Sequence, residues 1–370
     1  MTSKPPTLKH REIARALRQE IQTGLWRAGD RLPGEQDLAK RFDVSYMTMR
    51  QAVTNLVQES VLVRVRGKGT FVVEPSTSRD ATRVGQPMAF LFPAALQRMD
   101  PYYFPEVLEG FQEALDRHGR RAALCNYEAV DPEDGASPSG LENGVLEPNS
   151  TVACLLVGRS SLAAVERLRD LGHRVLAINR YSGRRSIPCV RVDDARGTEL
   201  AVEYLVGLGH DRIGFINGPR VNIDAAERLR GFRTGVKRFG IRYAPEEGDG
   251  FMEAEGYAAA RGLLSLPNRP TAIICASDLS AIGAVKAARD IGLSVPRGVS
   301  IVGFGDFPMA DYVSPSLTTI RQDRRALGHA AAEALIELAD GEDVSGTVLP
   351  AELVLRESTA QNVTAFASVS

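Results

Sequence analysis

LPGEQDLAKRFDVSYMTMRQAVTNLVQESVLVRVRGKGTFVV, residues 32–73, is the stretch on which the fold is decided. It reads as two short helices around a tight turn, followed by a β-hairpin with its tip at Arg66-Gly67-Lys68-Gly69. Ser45 is placed to cap the second helix, because its hydroxyl can accept from an orphan N–H of the first turn. Met49, Ala52, Val53 and Leu56 recur at i, i+3, i+4 and i+7, which makes one buried face. Tyr46, Met47, Arg50 and Gln51 then point the other way, on a helix against which something large can dock. The hairpin pairs VLVRV with TFVV, and its glycines permit the positive φ angles of a tight basic tip. A helix–turn–helix with a basic hairpin beside it is a DNA-reading arrangement.

Charge supports that reading. Residues 1–73 hold 13 Lys and Arg against 7 Asp and Glu, a net +6. The remainder holds 32 against 39, a net −7, although the whole chain sums to −1. A basic head on an acidic body suits a nucleic-acid-binding module on a carrier with another task. At 370 residues the chain exceeds one ordinary core. Its 44% hydrophobic and 25% charged content is that of a soluble globular protein. The N-terminus lacks an apolar run, so no signal peptide is expected, and nothing approaches the ~18–20 apolar residues of a membrane span. Cytoplasmic residence follows as an expectation. Cys125, Cys154, Cys189 and Cys275 lack metal-ligand spacing and read as buried reduced thiols; no metal or cofactor is expected.

Upstream of the deciding stretch, Ile13, Leu17 and Ile21 mark an amphipathic helix ending at Gly24. Trp26, in the turn that follows, is expected to pack the small core. Downstream, Glu74–Pro87 is rich in Ser, Thr, Pro and Gly and reads as a linker. The expected domains are 1–73, the DNA-binding head; 74–87, the linker; and 88–370, a two-lobed body. In the body, short apolar runs alternate with amphipathic helices. Strands are expected at 88–93, 122–127, 152–158, 174–178, 189–192, 212–216, 272–275 and 299–304. Helices are expected at 105–118, 162–171, 195–208, 225–239, 254–264, 278–291 and 323–338, and a surface loop over 131–149. That alternation predicts an α/β fold of two parallel sheets flanked by helices, with a ligand cleft at the carboxyl ends of the strands.

The words of residues 32–73 resemble the winged helix–turn–helix of GntR-type bacterial transcription regulators, on LP-x-E, VS-x-x-T-x-R and G-x-G-T-F in order. Two positions depart from that family. Gln36 follows the LP-x-E glutamate, and Tyr46 follows VS, where the family usually has arginine. The resemblance implies DNA contacts at Glu35, Gln36, Ser45, Tyr46, Met47, Thr48, Arg50, Arg66, Gly67 and Lys68. With Gln36 and Tyr46 lacking the usual charge, fewer guanine contacts and more shape reading are expected.

The body resembles the effector-binding core of LacI/GalR-type regulators, itself built like a periplasmic sugar-binding protein. The phrases are VLAINR, VRVDDARGTELAVEYLVGLGHDRIGFINGP, ERLRGF, TAIICASDLSAIGAVKAARDIGLSVPRGVSIVGFGD and SPSLTTIRQD. By that resemblance Tyr103 and Phe104 would stack on the effector, and Asn179 would hydrogen-bond it. Arg228 would grip it with a forked contact, Phe251 would form a second wall, and Asp278 would accept from its donors. Read from the residues alone, Asp278 could equally cap the next helix and Tyr103 and Phe104 could be core. The set suits a polar small molecule: a sugar, with a purine as second candidate. The resemblance further implies a homodimer on double-stranded operator DNA. An α/β enzyme working in the same cleft is the alternative, but no nucleophile–base pair or G-x-S-x-G supports it.

Overall fold

A computed structural model of the chain describes residues 9–22, 25–26, 29–58, 62–65, 69–72, 87–93, 102–127, 146, 149–157, 159–179 and 186–362. The wing tip Arg66, Gly67 and Lys68, residues 74–86 of the expected linker, and nearly all of the 131–149 loop lie outside the described residues. The chain divides into two compact units, Met1–Val84 and Gly85–Ser370.

In the first unit, α1 (Lys9–Gln22), α2 (Glu35–Arg41) and α3 (Tyr46–Gln58) precede the hairpin of β1 (Leu62–Val65) and β2 (Gly69–Val72). The strands pair antiparallel from Leu62 opposite Val72 to Val65 opposite Gly69. A third segment joins them: the Leu32 N–H donates to the Thr70 carbonyl at 2.9 Å, and the Val72 N–H to the Asp30 carbonyl at 2.9 Å. The core gathers Ile13 and Leu17 of α1, Leu38 of α2, the Met49, Ala52, Val53 and Leu56 face of α3, and Leu62 and Val72 of the hairpin. Each such large side chain, fully buried, contributes roughly 1.5–3 kcal/mol. Trp26 packs at the edge of this core, and its Nε1–H donates to Glu20 Oε2 at 2.9 Å.

The second unit is built from β3 (Met88–Pro93), α4 (Tyr103–Arg117), β4 (Ala123–Tyr127), β5 (Thr151–Leu155), α5 (Arg159–Asp170), β6 (Arg174–Ile178) and β7 (Cys189–Val192). There follow α6 (Asp194–Gly207), β8 (Ile213–Ile216), α7 (Ile223–Phe239), β9 (Glu246–Glu247), α8 (Glu253–Leu264), β10 (Ala272–Cys275) and α9 (Asp278–Asp290). Last come β11 (Ser300–Gly305), the short α10 (Met309–Tyr312), β12 (Thr318–Gln322), α11 (Arg324–Ala339), β13 (Thr347–Leu349) and β14 (Ala351–Val354). They form two six-stranded sheets, ordered β13-β7-β6-β5-β3-β4 and β14-β12-β11-β10-β8-β9. Every pairing is parallel except that of β12 with β14. Ignoring the added edge strands, each lobe starts in its interior, adds one strand outward and then winds the other way. Such a doubly wound order leaves a crevice at the carboxyl ends of the strands where the winding reverses.

The strand and helix boundaries fall within a few residues of those the sequence implies. β9, β12, β13 and β14 were not expected, because each is short, polar or edge-lying. Their pairing shows how the lobes connect: the chain crosses between them after Val192, after Gln322, and between Leu349 and Ala351. Helix pairs cross closely where glycine permits. A Cβ on Gly110 of α4 would lie 2.1 Å from the Arg325 carbonyl oxygen of α11. The cysteines are free thiols; Cys125, Cys154 and Cys275 are buried, while Cys189 is half-buried, a partial correction of the expectation. Burial pushes the Cys154 thiol up to about 12.

Candidate functional sites

The first site is the exposed start of α3. Ser45 closes the helix: the Thr48 N–H donates to its Oγ at 3.2 Å, and the Ser45 and Thr48 hydroxyls pair at 2.8 Å. This cap fixes the first turn without using Tyr46 or Met47, which are 42% and 67% exposed. Arg50 is also exposed, and its carbonyl accepts from the Thr54 hydroxyl at 2.8 Å. Gln36, Lys40, Ser45, Tyr46 and Thr48 line one hollow between α2 and α3. Glu35 opens α2, where a carboxylate in the first turn is favoured by the helix dipole.

The second site lies where the two sheets of the body meet. Arg228, on α7, is 7% exposed and uses all three guanidinium nitrogens. Nε donates to Asp194 Oδ2 at 3.2 Å, Nη1 to the Ala276 carbonyl at 2.6 Å, and Nη2 to Gln322 Oε1 at 3.3 Å. Gln322 Nε2 donates in turn to Asp194 Oδ1 at 2.7 Å. Asp194 and Gln322 stand at two of the three crossings, so one arginine ties two hinge strands together. The guanidinium also lies over Phe304, 4.1 Å from the ring centre, and over Phe251 at 5.5 Å. Such cation–π contacts suit arginine's flat, delocalised charge and not a lysine.

Opposite stands Asn179, at the end of β6, with φ of +74°. Asparagine is among the few L residues that tolerate this left-handed conformation. Its Oδ1 accepts from the Tyr103 hydroxyl at 2.7 Å, and its Nδ2 donates to the Leu156 carbonyl at 2.9 Å and to Asp224 Oδ2 at 3.3 Å. The last bond joins the lobes, as does the 2.7 Å bond from Asn222 Nδ2 to the Val157 carbonyl. Burial raises the Asp224 carboxyl to about 7, aided by the Asp194 and Glu227 charges and opposed by Arg228. Burial likewise raises Asp194. Asn179, Arg191, Val192, Asp194, Asp224, Glu227 and Gln322 line a cavity of only about 10 Å³. Pockets that hold small ligands measure roughly 300–1,000 Å³, so admission of an effector requires the lobes to part.

Tyr103, Asn179, Arg228 and Phe251 therefore belong to one polar cluster. Two expected residues do not. Phe104 packs inside its own lobe, 4.5 Å from Phe92 and 6.3 Å from Phe90 between ring centres, among the buried core residues. Asp278 is wholly buried, and its oxygens accept from the Thr319 hydroxyl at 2.5 Å and the Phe307 N–H at 2.7 Å. It is not the helix cap either: Ser277 caps α9, with Ser280 completing a capping box. Asp278 holds the chain after β11, and burial lifts its carboxyl to about 6. The sequence reading missed Asp194, Asp224, Glu227, Phe304 and Gln322. The VDD at the end of β7 was the available signal for Asp194; Gln322 had only its place in the phrase SPSLTTIRQD, because β12 was not read as a strand.

Among the described residues no helix is long and apolar enough to cross a membrane, and no His, Cys, Asp and Glu group could hold a metal. Residues 9–72 match the bacterial regulatory proteins of the gntR family, and residues 202–359 match the periplasmic binding protein-like domain. The chain is 30% identical over 369 residues to the arabinose metabolism transcriptional repressor of Geobacillus stearothermophilus, covering 95% of this chain and 98% of that one. It is 33% identical over 266 residues to the transcriptional regulator MalR of Streptomyces coelicolor, covering 70% and 77%. Among solved structures, the lac repressor dimer bound to operator and an anti-inducer is similar with a TM-score of 0.64 and 25% identity. That match covers 78% of this chain and 99% of the repressor.

Proposed function

This chain belongs to the GntR-type bacterial transcription regulators that carry a LacI-type, periplasmic-binding-protein-like domain, and from that membership we propose that it is a cytoplasmic repressor whose grip on its operator is set by an uncharged sugar held between the lobes. It is a DNA-binding regulator and not an enzyme, as its relatives are. Residues 1–73 form the reading head, 74–87 the linker and 88–370 the effector-binding and dimerising body. Arg50, with Arg66 and Lys68 of the wing, meets the operator's phosphates or base edges, while Ser45 and Thr48 approach phosphates. Glu35, Gln36, Tyr46, Met47 and Gly67 complete the contact surface. Two heads are needed for a pseudo-palindromic operator, so the working form is a homodimer.

One observation carries the effector part: Arg228 joins the Asp194 and Gln322 crossings at the floor of the cleft. A hydroxyl-rich ligand that exchanges bonds with Arg228, Asn179 and Asp194 acts directly on the hinge. The cavity and its floor offer three carboxylates, Asp194, Asp224 and Glu227, against two arginines, Arg191 and Arg228. Even with Asp224 partly protonated, and with Arg228 already paired to Asp194, that set supplies no clear excess of positive charge for a phosphorylated or acidic sugar. Relatives named for arabinose metabolism and as MalR agree with a sugar.

A thermal-shift screen of the whole chain with pentoses, hexoses, disaccharides, purines and the matching sugar phosphates tests this. At a hundred times its dissociation constant a ligand adds about 2.7 kcal/mol to the folded state. A neutral sugar is expected to raise the midpoint and its phosphate to leave it unmoved. A shift from purines or phosphosugars alone would contradict the assignment.

A further inference from the structure

Most exposed side chains around α3 can meet DNA by charge or hydrogen bonding, but Met47, its second residue, cannot. Tyr46 and Met47 sit at the N-terminal end of the helix, the end from which a recognition helix touches base edges. Both are large and exposed, while neighbouring Val44 packs against the small core and Met49 is fully buried in it. The Ser45–Thr48 cap holds their turn in place without help from either side chain. The unit around them is basic, with a net +6 over residues 1–73, so the occupant of this face is a polyanion. Methionine offers no hydrogen-bond donor and only a weak acceptor. In the major groove one base-edge group is apolar, the 5-methyl of thymine.

We propose that Met47, flanked by Tyr46, reads thymine through its 5-methyl group, one contact in each half-site of the operator. This rests on the regulator reading given above and adds the base that the head selects. Burying one methyl against the thioether gives about 0.8 kcal/mol, a preference of about three- to five-fold per thymine. Two half-sites multiply to roughly nine- to twenty-five-fold.

The test begins with the full chain and a random duplex pool, from which operators are selected. Each thymine of the selected operator is then replaced by uracil, which removes the methyl and leaves base pairing intact. Uracil at one position per half-site is expected to weaken binding about three- to five-fold each. Met47→Ala is expected to bind the thymine operator correspondingly less well and to bind thymine and uracil operators alike, with circular dichroism unchanged because the side chain is exposed. The comparison forms a double-mutant cycle in which the lost difference is the contact itself. An operator bound equally with uracil at every position overturns the assignment, as does a Met47→Ala protein that keeps the uracil penalty. A protein that enriches no sequence overturns the operator reading along with it.

Discussion

The guanidinium of Arg228 bonds at once to Asp194, to Gln322 and to the Ala276 carbonyl, so its removal leaves buried groups without partners. Arg228→Ala is expected to cost about 3–5 kcal/mol in urea unfolding, the usual penalty for stranding a buried charge. Arg228→Lys keeps the charge without the fork. It is expected to stay folded and to bind operator while losing its response to effector; a full response would remove Arg228 from the site. Asp224 gives a second test. Its folded value of about 7 lies above the ordinary carboxylate range, so across about pH 4 to 7 the unfolded chain has released a proton that the folded chain retains. Stability therefore falls with rising pH through that window. Asp224→Asn is expected to gain ~1–3 kcal/mol relative to the parent between pH 4 and 7 and nothing further above it, less than the full shift allows because Asp224 is half-buried. A difference that does not change with pH would contradict the raised carboxyl. At this scale the sequence carried Asn179 and Arg228, whose places follow from strand ends and a family phrase. It left Asp278 between ligand contact and helix cap and did not reveal its bonds to the loop after β11. Its partners, Thr319 and Phe307, lie about 30 to 40 residues further along.

Helices and strands follow from periodicity wherever one face is buried. The Met49–Leu56 face of α3 and the apolar runs of β3, β8 and β10 are fully buried, and all were legible. β12 and the β13–β14 edge were not, because Thr, Arg, Gln and Glu interrupt them and only pairing with β11, β7 and β12 makes them strands. Close helix crossings were equally hidden. The α4–α11 crossing brings backbone to backbone at Gly110 and Gly328, where a Cβ on Gly328 would meet the Val107 carbonyl at 2.1 Å. Gly110→Ala is expected to lower stability by about 1–3 kcal/mol, since the backbones must separate. An unchanged thermal midpoint would show that the crossing is looser than this. At the head, Arg50→Ala is expected to weaken operator binding and lower the slope of log affinity against log salt by about 1. A slope that does not move would take Arg50 off the phosphates.

Over the whole molecule, a basic reading head and an acidic two-lobed body are joined in one chain, and the comparison of charge between residues 1–73 and the rest already pointed to that division. What composition could not convey is the closed cleft, whose floor joins two of the three crossings through Asp194, Arg228 and Gln322. A ligand that competes for those bonds alters the hinge, and linkage requires that operator and effector then change each other's affinity by the same factor. The most direct measurement is operator affinity by fluorescence anisotropy, on the selected operator at fixed salt, with and without a saturating neutral sugar found by thermal shift. The account expects the sugar to change the operator dissociation constant by about 5- to 150-fold, and Arg228→Lys to bind the operator but show no such change. An operator affinity that is the same with the cleft saturated would contradict it.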